Sequence, residues 1–349
     1  MRVLINPTRP FYLNKIKKSI RCGNFSETGK VIDYEDEMFV SFFKEMSKFI
    51  DIKDLENIAK TRYSMNSKDF NELLKYLMNE KFVITDDEYD KIYNYDKLYN
   101  RQNAYFFMVS EDIKNIDLYK NKNILILGLG GIGSNVAEQL VRAGFSNFTL
   151  VDCDVVESSN LIRQNAYYSD DIGIPKTEAL SKRLMLINSN IKVNEYNTKI
   201  LSKTEVLQYI EKADFVICTL DKPYRKIRRI INSVCVECNK PVIFSGFAEH
   251  VGMVGPFVVP HITACLECID KPDFEIPFQN IKIVPSFGPL CNIISCIVAA
   301  EVINYFVKYN SYNLIGCTLM FNMINYKTEI IKWNKNPSCK ECSDKNDSK

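Results

Sequence analysis

The segment Gly128-Leu129-Gly130-Gly131-Ile132-Gly133 follows a short apolar run and precedes residues of helical periodicity, Val136, Leu140 and Val141. Glycines at this spacing permit a tight strand-to-helix turn. They also let phosphate oxygens approach backbone N–H groups at the start of a helix. Asp152 follows about 20 residues later, at the end of a second apolar run, where it can accept a ribose hydroxyl. Alone, this pattern predicts a dinucleotide site.

The residues after Asp152 go beyond what a dinucleotide needs. Asp154, Glu157, Ser159, Asn160, Leu161, Arg163 and Gln164 bring carboxylates, a carboxamide and a guanidinium beside the same crevice. The planar fork of Arg163 can neutralise phosphate charge. Lys176 opens a helix after Gly173-Ile174-Pro175 and is a second phosphate candidate. Leu220 and Asp221 end a further strand, at the edge where open α/β sheets bind ligands. A carboxylate there, beside a triphosphate, suits Mg²⁺. It equally suits the N-cap of a helix over 222–238.

Twelve cysteines include three Cys-x-x-Cys pairs. Cys265 and Cys268, with Cys339 and Cys342, lie in turn-rich sequence and form two knuckles suited to structural tetrahedral zinc. Substituting Cys265 by Ser should then cost metal and fold stability rather than chemistry. Cys235 and Cys238 lie in an apolar helix and read as helix residues. His250 and His261 are the only histidines, so a Ser-His or Cys-His nucleophile is poorly supported.

The elements that must position these groups follow from composition and period. The 349 residues balance 45 basic against 43 acidic side chains, a net charge of +2. That balance gives no argument for nucleic acid or an anionic membrane. No apolar run is read as approaching the roughly 18 residues of a membrane span, and the N-terminus has no apolar core of signal-peptide length. A cytoplasmic protein is expected.

Residues 1–95 form one block. Strand-like sequence at the start, helices over 35–50, 52–61 and 70–79, and a strand over 81–85 predict a small winged-helix-like α+β module. It lacks a basic recognition helix, which leaves peptide binding by strand addition as its common use. The acidic, tyrosine-rich stretch 86–100 reads as a solvated linker, followed by a helix around 100–118. From 122 onward strands and helices alternate: a strand, the glycine turn and its helix, a strand ending at Asp152, helices over 176–188, 203–212 and 222–238, and strands over 191–195, 214–220 and 241–246. The last third adds a Pro- and Phe-rich stretch and a buried helix over 291–308. This is a doubly wound, Rossmann-like α/β sheet over 96–349.

Together these motifs resemble the ThiF/MoeB/MccB family of adenylating enzymes, relatives of the ubiquitin activators. The family's glycine loop matches Gly128, Gly130, Gly131 and Gly133. Its ribose acid matches Asp152, its second acid Asp154, and its polar run Ser159, Asn160, Leu161, Arg163 and Gln164. The resemblance further implies Lys176 on phosphate, Asp221 on Mg²⁺, and zinc on Cys265, Cys268, Cys339 and Cys342. Tyr99-Asn100-Arg101-Gln102 resembles a family segment whose arginine reaches ATP in the partner subunit, so Arg101 implies a homodimer. Length and the N-terminal block look most like the MccB branch, the microcin C maturation enzymes, in which that block clamps a precursor peptide.

The implied activity is transfer of a nucleotide from ATP, or another triphosphate such as CTP, to the C-terminal carboxylate of an Asn-ended ribosomal peptide. An acyl-adenylate forms first, and an N–P linked peptidyl nucleotide can follow. The alternatives are a sulfur-carrier activator acting on a Gly-Gly C-terminus and a peptide-cyclising activator of the same family. A NAD-dependent oxidoreductase lacks a hydride-transfer residue set. A peptide-binding scaffold would not need Arg163, Lys176 and Asp221. Two departures stand out. The family's Asp-Asn is Asp221-Lys222 here, and residues 269–290 contain no cysteine for a thioester, leaving Cys291 and Cys296 as the nearest thiols.

Overall fold

The structure, a computed structural model, describes residues 1–24, 29–94, 96–109, 119–223, 225–269, 285–307 and 314–343. The chain forms two compact units, Met1–Lys114 and Asn115–Lys349. The division falls after Lys114 rather than near residue 95.

In the first unit β1 (Arg2–Ile5) lies between β5 (Ile50–Asp51) and β6 (Val83–Thr85), antiparallel to both. A separate meander joins β2 (Phe11–Asn14), β3 (Ser19–Cys22) and β4 (Lys30–Asp33). Helices α1 (Glu37–Glu45), α2 (Ile52–Tyr63) and α3 (Ser67–Asn79) occupy the expected places. Each starts where a short polar side chain satisfies an open N–H: Asp36 accepts from Met38, Asp51 from Lys53 and Asn66 from Asp69. Their apolar faces, with Phe42, Phe43, Leu55, Phe70 and Leu77, share a core with Val3 and Phe82.

The stretch expected to be a linker is partly helical. Thr85 and Glu88 form a capping box that opens α4 (Asp86–Tyr93). Ile92 of α4 is buried in a small cluster with Ile84 and Phe107, the latter on α5 (Asn100–Val109). The pairing of these helices explains why the first unit extends past residue 95. The rest of the expected helix, beyond 109, lies outside the described residues.

The second unit is built on one eight-stranded sheet. Its parallel strands are β7 (Asn123–Leu127), β8 (Asn147–Asp152), β9 (Lys192–Asn197), β10 (Phe215–Cys218) and β11 (Val242–Ala248). They run in the order β11-β10-β7-β8-β9, so the winding direction reverses between β7 and β10. That reversal opens a crevice at the carboxyl edge of the strands. Three antiparallel strands extend the sheet: β12 (Val251–Val258), β13 (Cys317–Asn322) and β14 (Thr328–Lys332). Helices α6 (Gly133–Arg142), α7 (Lys176–Ile187), α8 (Lys203–Ile210) and α9 (Lys226–Glu237) make the crossovers, and the four-residue α10 (Leu266–Ile269) carries the first cysteine knuckle.

Helix α11 (Gly288–Val307) corrects one expectation. Its 20 residues, mean hydropathy 1.8 over 18 of them, are long and apolar enough to cross a membrane by length and composition. It packs instead against α6, β11 and β12. It also carries Glu301, a buried carboxylate whose Oε2 accepts the Leu314 N–H at 2.6 Å. An apolar helix covered by other elements needs no polar face.

Candidate active site

The glycine turn fills the crevice between β7 and β10. Gly128 has φ of 91°, a left-handed conformation that a side chain would strain, and its N–H donates to Val151 O at 2.9 Å. A Cβ at Gly133 would overlap the Gly128 carbonyl oxygen, so this position requires glycine for the turn to close. A Cβ at Gly131 would lie 3.1 Å from Cys291 Sγ and 3.2 Å from Arg163 O. At Gly130 a Cβ would meet nothing within 4 Å, so its backbone faces open space.

Asp152 braces this turn. Its Oδ2 accepts the Leu129 N–H at 2.6 Å and its Oδ1 the Asp154 N–H at 2.8 Å. Each carboxylate oxygen keeps a further lone pair for a ribose hydroxyl. Burial pushes the Asp152 carboxyl above its ordinary pKa, against the opposing pull of the Lys176 charge and these two N–H groups. From the other side, Tyr167 donates its hydroxyl to Leu129 O at 2.8 Å. Burial pushes that phenol well above its usual range, so it stays a donor. Tyr167 was missed by sequence reading; its position three residues after Gln164 was the available signal.

The polar run folds into a short 3₁₀ turn over Ser158–Asn160. Asn160 Oδ1 accepts the Glu157 N–H at 3.1 Å, and Ser159 Oγ donates to Glu157 Oε2 at 3.3 Å. Arg163 donates Nη1–H to Ser159 O at 2.7 Å, which holds the guanidinium against its own turn. Leu161 is half-buried, and Gln164 is buried with its Oε1 unpartnered. Lys176 points its ammonium at Asp154 Oδ2, 2.9 Å away, and donates its backbone N–H to Asp154 O at 3.0 Å. The charge of Lys222 also reaches Asp154, so the departure from Asn at 222 adds positive charge to this edge.

Asp221 is exposed in the loop after β10 and Leu220 is half-buried. Asp221 does not cap α9, which starts only at Lys226 without a side-chain cap bond. The neighbouring Thr219 donates its hydroxyl to Gly128 O at 2.8 Å, and Arg228 donates to Leu220 O at 3.3 Å and Ser245 O at 2.7 Å. Both tie this loop to the crevice; Arg228, eight residues past Leu220, was not singled out from sequence. Arg101 is exposed in the first turn of α5, in the first unit.

Cys291 is buried and Cys296 exposed. Burial raises the Cys291 thiol pKa, although Arg163 pulls against it, which disfavours the thiolate. The segment 270–284, where a family thioester cysteine would fall, lies outside the described residues.

Cys265, Cys268, Cys339 and Cys342 converge, with Sγ separations of 4.0 Å for 265–268, 3.7 Å for 265–339 and 3.4 Å for 268–342. A tetrahedron of thiolates about 2.3 Å from a zinc ion has edges of about 3.8 Å. The donor set and its spacing therefore fit zinc. Asn232, inside α9, accepts the Leu266 N–H at 2.9 Å and pins the first knuckle to the domain body. Cys235 belongs to the core and Cys238 packs at its margin, as helix residues.

The profile of the ThiF family matches residues 99–341. Molybdopterin-synthase adenylyltransferase of Escherichia coli is 27% identical over 242 residues, covering 69% of this chain and 95% of that protein. The crystal structure of E. coli MccB with ATP superposes at a TM-score of 0.82 and 24% identity, covering 98% of this chain and 100% of that one. MccB with MccA-N7isoASN gives the same TM-score at 23% identity, over 99% and 100% of the two chains.

Proposed function

The chain belongs to the ThiF family and is an adenylyltransferase, and from that premise we propose that it adenylates the C-terminal carboxylate of a ribosomally made, Asn-ended precursor peptide with ATP. One observation favours a peptide over a sulfur carrier. The likeness to MccB spans both units, whereas the molybdopterin-synthase relative accounts for 69% of the chain. The first unit, which includes the block 1–95 read from sequence as winged-helix-like, is on this reading the clamp that holds the peptide.

The peptide carboxylate is ionised at neutral pH, so it attacks the α-phosphorus without a general base. The bond from that phosphorus to the bridging oxygen breaks and pyrophosphate leaves. What the protein must supply is alignment and positive charge. The glycine-turn N–H groups and Asp152 hold the nucleotide. Arg163 and Lys176 stabilise the charge on the phosphates, and Arg101 of a second copy adds a third cation. Asp221, an exposed oxygen donor at the crevice edge, is the residue that would hold Mg²⁺, whose charge offsets that of the phosphates. Zinc on the four cysteines would be structural, fastening the C-terminal knuckle to α9.

The test is pyrophosphate release from ATP, CTP and GTP with peptides ending in Asn and with a carrier ending in Gly-Gly, each product weighed by mass spectrometry. A peptide gaining a nucleotide monophosphate supports the proposal. Loss of water from the peptide without nucleotide retention points to the cyclising activator. Turnover only with the carrier overturns the peptide reading and makes the first unit a carrier-docking module.

A further inference from the structure

Helix α11 meets the crevice from a side that no sequence motif announces. A Cβ at Gly288 would lie 2.7 Å from Ile162 O, and a Cβ at Gly131 3.1 Å from Cys291 Sγ. The first two turns of α11 therefore pack against both the glycine turn and the segment that carries Arg163. Asn292 stands on those turns, half-buried. Its Oδ1 accepts from Asn135 Nδ2 at 2.7 Å and from Asn165 Nδ2 at 3.1 Å.

The orientation of these three carboxamides is forced, each by the one before. Gly131 O lies 2.7 Å from the Asn135 side chain and can only accept, so Asn135 must present Nδ2 there. The second hydrogen of that nitrogen goes to Asn292, which must then offer Oδ1. Asn165 in turn must offer its Nδ2. Asn135 is buried, where a donor without an acceptor is costly. The planar trans peptide carries the constraint further. Holding Gly131 O also fixes the direction of the Ile132 N–H, at the start of α6 where backbone N–H groups suit phosphate. Asn165 stands two residues after Arg163, so the other arm of the network reaches the guanidinium segment.

We infer that Asn292 is a positioning residue for adenylyl transfer. It acts through Asn135 and Asn165, holding the glycine turn and the Arg163 segment at a fixed separation so that both meet one phosphate chain. The inference rests on the adenylyltransferase activity of the chain and is independent of the peptide reading.

Isothermal titration of a non-hydrolysable ATP analogue into the full chain tests it, with thermal melting of each variant. Asn292→Leu keeps the branched shape and removes the acceptor. It should weaken binding about tenfold. Asn292→Asp keeps an oxygen for both bonds and should recover most of that loss, measured in added salt that screens its charge. Asn165→Ala, at an exposed position, should weaken binding by itself. Added to Asn292→Leu it should change nothing further, because the bond it removes is already gone. Wild-type affinity in Asn292→Leu, a loss that Asn292→Asp does not relieve, or additive effects of the Leu and Ala changes overturn the positioning role. Should Asn292→Leu fail to fold, Asn165→Ala alone reads the arm that reaches Arg163, and unchanged affinity there overturns the role. A chain that binds the analogue with these losses yet transfers no nucleotide to an Asn-ended peptide keeps Asn292 in its role and overturns only the proposed function.

Discussion

The ammonium of Lys176 lies 2.9 Å from Asp154 Oδ2, with the lysine side chain 7% exposed and the aspartate 63% exposed. The buried cation is thus anchored from its solvent side by a carboxylate at the mouth of the crevice. An arriving phosphate chain would find the charge already oriented. Lys176→Met keeps the aliphatic stem and removes the charge. It should lower the rate of ATP-dependent pyrophosphate release by about 10²–10³, with thermal melting to show that the fold is retained.

The same pair makes stability depend on pH. Burial raises the Asp154 carboxyl, but the bond and charge of Lys176 outweigh it and hold the pKa below its ordinary 3.8. A depressed carboxylate stabilises the folded chain above that ordinary value, and the contribution is lost as pH falls through the depressed one. Asp154→Asn should therefore melt at a lower temperature than wild type near neutrality, and the two curves should converge below pH 3.8. Parallel curves across that window would count against the pairing. Because Asp154 is largely exposed, added salt should shrink the difference.

Two glycines of one turn should respond oppositely to alanine. At Gly133 a methyl overlaps the Gly128 carbonyl, so Gly133→Ala should cost about 2–3 kcal/mol or prevent folding. At Gly130 a methyl meets no neighbour, so Gly130→Ala should fold normally and weaken ATP binding by intruding on the phosphate path. Chemical denaturation and ATP titration separate the two effects.

Tyr167 holds the glycine turn through Leu129 O. Tyr167→Phe leaves that carbonyl without its side-chain donor, at a cost of about 1–3 kcal/mol. The KM for ATP should rise with the loosened turn. An unchanged KM beside lowered stability would assign Tyr167 to packing alone.

If the four cysteines bind zinc, the purified chain should carry one equivalent by elemental analysis. Cys268→Ser should lose it and melt at a lower temperature, whereas Cys238→Ser should keep it. Full metal content in Cys268→Ser would remove that residue from the ligand set.

The crevice was legible because its information is local. A strand, a glycine turn and a helix start occupy consecutive residues, and Gly128, Gly133 and Asp152 are constrained by backbone geometry that residue type alone announces. The helix start at Lys176 was legible for the same reason. Other features depended on distant partners. No place in the sheet was read for 251–258, since its pairing with β13 depends on chain 60 or more residues away. Helix α11 is largely apolar, and composition does not say whether protein or lipid covers it; its contacts with α6, β11 and β12 do. Four cysteines in two knuckles suggested a metal set, but only the fold brings Cys268 within 3.4 Å of Cys342 across 74 residues. Residue type and short-range period thus determined the nucleotide turn and the helices that flank it. The neighbours of the apolar helix and the meeting of the thiols were decided by tertiary structure, because each is a contact between segments whose separation along the chain carries no period.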